Sequence, residues 1–251
     1  MQSKFVKRVL GLIIVAVIVL WVAWFLSGAM VSAGPQHYIA HGGGAIDGQP
    51  ITNSLEAVEH SIANGIKFIE LDLQMTSDNK LVAAHDWGTF RELTGGGADD
   101  TQVPSLAEFC NKRIMGKYRP LTYLLIDSLF KANPDLWLVT DKITDVNAIE
   151  AFLPDIKERI IVECFTPEQY DECLSRGLRG FRSYHNLTPG GINAVERHSR
   201  RMVYQHFIPT EFAVYSSSRI STAEADSLFK SDKRIRFIYV DYIQDNHDIK
   251  K

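Results

Sequence analysis

The chain has 251 residues, with 27 Lys+Arg against 30 Asp+Glu and a formal charge of −3. The first thirty residues hold three basic side chains and no acidic one, so the remainder sets 24 basic against 30 acidic residues, a charge of −6 that argues against a nucleic-acid partner. Cys110, Cys164 and Cys173 are too few and too scattered for a disulfide framework or a zinc site, although an exported domain could still pair two of them.

The first element is apolar. Val9 to Leu26 is almost unbroken in Leu, Ile, Val, Ala and Trp, carries no charge, and is long enough to span a bilayer. Lys4, Lys7 and Arg8 precede it, so the positive-inside rule predicts a cytoplasmic amino terminus and an extracytoplasmic remainder, periplasmic or extracellular. Val31-Ser32-Ala33 resembles a processing site, which makes a cleaved signal peptide the competing reading. The run exceeds the usual signal-peptide core, so an uncleaved single-pass anchor over residues 1–33 is favoured. Residues 34–251 contain no Pro/Ser linker or low-complexity break and suit one domain.

Beyond the anchor, short apolar runs alternate with amphipathic patterns, the signature of βα units and a parallel sheet. Strands are predicted at His37–His41, Lys67–Gln74, Leu81–His85, Leu136–Asp141, Arg159–Phe165, Gly180–Tyr184, Met202–Phe207 and Arg236–Val240. Phe212–Tyr215 is a ninth candidate, and helical periodicity weakens in the carboxyl-terminal third. Eight strands suggest a closed barrel, with an open doubly wound sheet as the alternative. Asn53 is predicted to cap a helix with Glu56 at its third position and Gly65 as its stop. Thr166-Pro167-Glu168-Gln169 repeats that logic, with Gly177 as terminator.

Strand ends in such folds carry the chemistry. In Phe68-Ile69-Glu70-Leu71-Asp72-Leu73 the period of two sets three apolar residues on one face and both acids on the other. Two like charges in a poorly solvated barrel mouth call for a hard divalent cation such as Mg²⁺ or Ca²⁺, or for bonds to basic groups and amides. His41 and His85 close the first and third predicted strands and can reach that pair from different sides. Imidazole titrates near neutrality, so one ring can take a proton while the other gives one. Gly42-Gly43-Gly44 follows His41, and a turn without Cβ atoms lets amides approach an anion or simply turns tightly. Gly95-Gly96-Gly97 carries only the second meaning. Tyr184, His185 and His206 have no spacing that selects them, and Asn186-Leu187-Thr188 is a glycosylation sequon without supporting context.

These clusters, from Ile39 to about Leu106, resemble the glycerophosphodiester phosphodiesterase family and its phosphatidylinositol-phospholipase-like superfamily. The matching residues are His41-Gly42-Gly43, Asn53-Ser54, Gly65 through Asp72, Thr76 through Asp86, and Thr94-Gly95. The resemblance implies a TIM-like (β/α)8 barrel that hydrolyses a glycerophosphodiester or related phosphodiester with a divalent cation. It makes His41 and His85 the acid–base pair, Glu70 and Asp72 metal ligands, and Asn53 a support for the phosphate or for the site's hydrogen bonds. Two departures stand out. Many relatives carry Arg after the first histidine, where this chain has Gly42, so anion recognition falls to amides, metal and another cation, with Lys142 the candidate. The family's third carboxylate and lysine usually stand two residues apart, but here Asp141 and Lys142 are adjacent, so both serve only if the strand ends or bulges there. Glu163 is the reserve ligand. The departures leave two further readings open, a catalytically silent barrel that binds a phosphorylated lipid or polymer, and a phospholipase of the same fold held near headgroups by the anchor.

Overall fold

Short apolar runs buried on both faces become the staves of a parallel sheet in the computed structural model, which describes residues 37–97, 102–143, 145–182, 214–215, 220–231 and 237–243, with 11, 17 and 18 isolated before them. The strands are β1 Tyr38–Ala40, β2 Phe68–Met75, β3 Leu81–Ala83, β4 Trp137–Asp141, β5 Ile160–Cys164, β6 Arg179–Arg182, β7 Val214–Tyr215 and β8 Phe237–Val240. Their order is β6-β5-β4-β2-β1-β8-β7, every pairing parallel, with β3 attached to β2 alone. That is the neighbour order of a βα barrel opened between β6 and β7. The strand expected at Met202–Phe207 lies outside the described residues, as does any closure through it.

Met1–Ala33 and Gly34–Lys251 form separate compact units. Apart from residues 11, 17 and 18, the apolar run Val9–Leu26 lies outside the described residues, among which no helix is long and apolar enough to cross a membrane.

The parallel register sorts side chains into two sets. Ile39 pairs with Phe68 and Tyr239, Glu70 with Val139, Val139 with Ile161, and Glu163 with Phe181. Paired residues face the same way, so all of these share one side of the sheet. Phe68, Trp137 and Phe237 lie at its amino-terminal end, and Phe68 meets Phe237 edge to face at 4.6 Å between ring centroids. Above them Ile39, Val139, Ile161, Phe181 and Tyr239 form a buried layer. One step further, at the carboxyl ends, the same parity brings in His41, Asp72, Asp141, Glu163 and Asp241. The chemistry therefore rests on a packed apolar floor. Ile69, Leu71 and Leu73 point the other way and are fully buried.

The predicted third strand is corrected by the structure. β3 ends at Ala83 and pairs antiparallel with the far half of β2, Leu73 against Ala83 and Met75 against Leu81. The turn Thr76–Lys80 folds the chain back on itself, with Lys80 N–H bonded to Thr76 Oγ1 at 2.9 Å and Asn79 at φ 56°. β3 is the returning arm of a hairpin, and it carries His85 back toward the mouth.

That arm has its own core. After β3 come α2 Trp87–Leu93, α3 Leu106–Cys110 and α4 Tyr123–Ala132 before the chain re-enters the sheet at β4. Val82, Ala84, Phe90, Phe109 and Ile114 are buried together, with the Phe90 and Phe109 rings stacked at 4.6 Å. Asp86 caps α2 by accepting from Thr89 N–H at 2.7 Å, and Ser105 and Glu108 close a capping box on α3.

The remaining helices are α1 Leu55–Ala63, α5 Val146–Phe152, α6 Pro167–Ser175 and α7 Thr222–Ser231. The Thr166–Gln169 capping box of α6 forms as expected. At α1 the cap is Ser54, which accepts from Ala57 N–H at 3.3 Å, and not Asn53. Glu56 instead accepts from Arg119 Nε at 2.9 Å.

Truncating a fully buried aromatic leaves a cavity, so Phe109→Ala should cost about 3–5 kcal/mol in urea unfolding. An unchanged urea midpoint would mean that the arm's core does not unfold with the sheet.

Candidate functional site

The acids of β2 and β4 meet because their strands pair in register. Asp72 and Asp141 are direct partners, and Glu70 lies one pleat below Asp72 on the same side. Glu70, Asp72 and Asp141 each offer a carboxylate oxygen, and these atoms all lie within 4.8 Å of one another. Glu70 and Asp72 are buried, and Asp141 is partly so.

Each acid is held by a neighbour. Asn53 donates from Nδ2 to Asp72 Oδ2 at 2.8 Å and accepts from Asp72 N–H at 3.0 Å through Oδ1. This reciprocal pair explains why Asn53 leaves the helix cap to Ser54, since its amide is committed to the site and its backbone takes φ 52°. Gly42 N–H donates to Glu70 Oε2 at 2.6 Å, so this amide grips the acid instead of facing outward. A Cβ at Gly42 would stand 2.4 Å from Ile51 Cα, and φ is +54°. Glycine is obligatory there, and the space an arginine would need is filled by Ile51.

β4 ends at Asp141, and Lys142 takes φ 54°, which swings its side chain to the same side as its neighbour's. The ammonium lies 3.5 Å from Asp141 Oδ2 and 3.8 Å from Asp72 Oδ1. The positive φ thus overcomes the adjacency that an ideal strand would forbid.

The electrostatics are those of crowded like charges. Burial, then the charges of Asp72 and Asp141, push the Glu70 carboxyl well above its ordinary range. Burial and the Asp72 charge raise Asp141 to about 8, against the opposing pull of Lys142. Burial alone would lower the Lys142 ammonium, but the charges of Asp141 and Asp72 raise it on balance. Asp141 Oδ1 is buried and finds no donor among the described residues. Three hard oxygen donors with one orphaned lone pair fit a divalent cation of the Mg²⁺ or Ca²⁺ class. Glu163 stands apart from the triad and accepts from Tyr239 Oη at 2.9 Å.

His41 directly follows β1, one strand from Glu70. Its Nδ1 lies 3.0 Å from Asp241 Oδ1, and Tyr239 meets its ring edge-on at 5.4 Å. Facing an ionised carboxylate, which can only accept, Nδ1 would be the donor and the Nε2 lone pair would be left available. Asp241 is fully buried and fixed in turn, with Oδ2 accepting from Ile220 N–H at 3.0 Å. His85, on the hairpin arm, repeats the pattern with Nδ1 at 2.7 Å from Asp86 Oδ2, and Gln74 Nε2 donates to its carbonyl at 3.1 Å. Burial raises the Asp86 carboxyl, but bonds from Thr89 and His85 outweigh it and hold it below its ordinary range.

Tyr239 and Asp241 were missed as site residues in the sequence. A signal existed, because Asp241 follows a strand and shares the parity of Tyr239. Only the β1–β8 pairing shows that it reaches His41.

The family model described as "Glycerophosphoryl diester phosphodiesterase family" matches residues 41–173. No curated protein matches the chain. Among solved structures, a candidate glycerophosphoryl diester phosphodiesterase from Silicibacter pomeroyi DSS-3 superposes with a TM-score of 0.60 at 16% identity, covering 86% of this chain and 93% of that one. The glycerophosphoryl diester phosphodiesterase domain of a Mycobacterium tuberculosis protein gives 0.58 at 15% identity, with 82% and 96% covered. An Oleispira antarctica phosphodiesterase in complex with the product sn-glycerol-3-phosphate gives 0.51 at 15% identity, with 82% and 93% covered.

A carboxyl whose native value is raised stabilises the fold in its protonated form. For Asp141 that contribution is complete below the ordinary 3.8 and is lost as pH rises toward about 8. The Tm of chelator-treated protein should therefore fall between about pH 5 and pH 8, and Mg²⁺ or Ca²⁺ should raise it more at the upper end. Equal cation shifts across that range, or no shift at all, would contradict a carboxylate cation site.

Proposed function

The chain belongs to the glycerophosphoryl diester phosphodiesterase family and is a phosphoric diester hydrolase, and on that premise we propose that it cleaves glycerophosphodiesters with a divalent cation on Glu70, Asp72 and Asp141. The observation that carries this reading is the convergence of those three carboxylates at the ends of paired strands, with the Gly42 amide, next in sequence to His41, bonded to Glu70. The Oleispira antarctica complex with sn-glycerol-3-phosphate supports glycerol phosphate as the retained product.

A cation held by Glu70, Asp72 and Asp141 would supply positive charge against the charge that develops on the phosphate. The chain's own groups do the rest. Asp241 orients His41 and Asp86 orients His85, so that each presents Nε2 to the substrate. One ring takes the proton of the attacking oxygen, and the other protonates the leaving alkoxide. The attacking oxygen belongs to water or to a neighbouring substrate hydroxyl, the latter giving a cyclic phosphate first. With the Gly42 amide committed to Glu70, anion recognition shifts toward Lys142, whose ammonium already lies at the acidic cluster. We assign the domain to the extracytoplasmic side of a membrane, tethered by Val9–Leu26. The length of that run and the preceding Lys4, Lys7 and Arg8 support the assignment.

Purified protein should release glycerol phosphate from glycerophosphocholine in the presence of Mg²⁺ or Ca²⁺ and stop on chelation. His41→Ala and His85→Ala should each lower kcat by about 10²- to 10⁴-fold with little change in Tm. Wild-type rates in both variants would remove the acid–base assignment, and hydrolysis unaffected by chelation would remove the metal.

A further inference from the structure

Two of the three cysteines meet inside the domain. Cys164 is the last residue of β5 and points with Ile160 and Val162 to the outer side of the sheet, where α6 packs. Cys173 lies on the buried face of α6, one turn after Tyr170. Both are thiols and almost fully buried, and their sulfurs are 3.7 Å apart. Gly180 on β6 lies against them. A Cβ there would stand 3.4 Å from Cys164 Sγ and 3.5 Å from Cys173 Cβ, so its absence leaves room for both side chains. Cys110 is exposed and takes no part.

We propose that Cys164 and Cys173 are a disulfide site, joined when the chain folds in an oxidising compartment, so that the carboxyl end of β5 is bonded to α6. The sulfurs already touch, and the bond requires them to close to about 2.05 Å by side-chain rotation. The oxidant is a thiol–disulfide exchange partner, either a protein disulfide donor or an oxidised small-molecule disulfide. One cysteine thiolate attacks a sulfur of that disulfide and displaces a thiolate, giving a mixed disulfide. The second cysteine thiolate attacks the first cysteine's sulfur and displaces the other thiolate. Two electrons pass to the oxidant, and the two thiol protons end on its two released thiols. The site is independent of the hydrolytic reading. Its effect is local, because Glu163 immediately precedes Cys164 and holds Tyr239, so the bond anchors the strand end behind the mouth.

The test uses the full chain carrying Cys110→Ser, refolded in a reduced and oxidised glutathione mixture, quenched in acid, unfolded and labelled with a maleimide mass tag. The expected result is no tag, a mass about 2 Da below that of the dithiol, and a proteolytic fragment joining positions 164 and 173. Reduction should restore two tags and lower Tm by several degrees, and Cys173→Ser should abolish that reductant-dependent shift. Two tags on the refolded, oxidised protein, or stable glutathione adducts in place of the cross-link, would overturn the proposal.

Discussion

Three carboxylates brought together at one largely buried strand end are the constraint on which the rest of the structure depends. Strand pairing puts Asp72 beside Asp141 and Glu70 beneath them. Nothing in the apolar layer below can disperse their charge. The neighbourhood is therefore a set of partial answers. Asn53 satisfies one oxygen of Asp72, the Gly42 amide one of Glu70, and Lys142 faces Asp72 and Asp141 together. None of these cancels the cluster, as the raised Glu70 and Asp141 carboxyls show. Three converging oxygen donors with uncancelled charge are what a divalent cation site requires.

The two histidines are mounted differently. His41 extends a central stave, and its orienting acid, Asp241, extends the neighbouring one, so sheet register fixes both. His85 rides on a hairpin arm with a separate aromatic core, and its orienting acid is its own successor in sequence, which also caps the next helix. The sheet therefore sets the three carboxylates and one imidazole, while the arm sets the other.

What was legible in the sequence follows the range of the forces involved. The period of two in Phe68–Leu73 correctly set Glu70 and Asp72 opposite three buried leucines and isoleucines, because parity is local. The Thr166 cap of α6 was likewise local. Asn53 has the sequence context of a cap and does not act as one, because cap propensity is local but its partner, Asp72, lies nineteen residues away. Leu81–His85 looked like a stave because an antiparallel return and a parallel crossover share the same apolar alternation. Whether adjacent Asp141 and Lys142 could act together turned on one backbone angle that no pattern encodes. Asp241 needed the pairing of the first strand with the last.

The glycine after His41 locks two segments of the chain together. Asn53 N–H bonds to Gly42 O at 2.9 Å, fastening the passing segment over the turn, and Ile51 itself adopts φ 56°, uncommon for a β-branched residue. A side chain at 42 and this path of the segment exclude each other. Any side chain at 42 therefore requires a different course for the segment through Ile51, and the two can be exchanged only together. The turn after His41 and the segment passing over it are thus one interlocked unit, in which neither part can be redesigned alone.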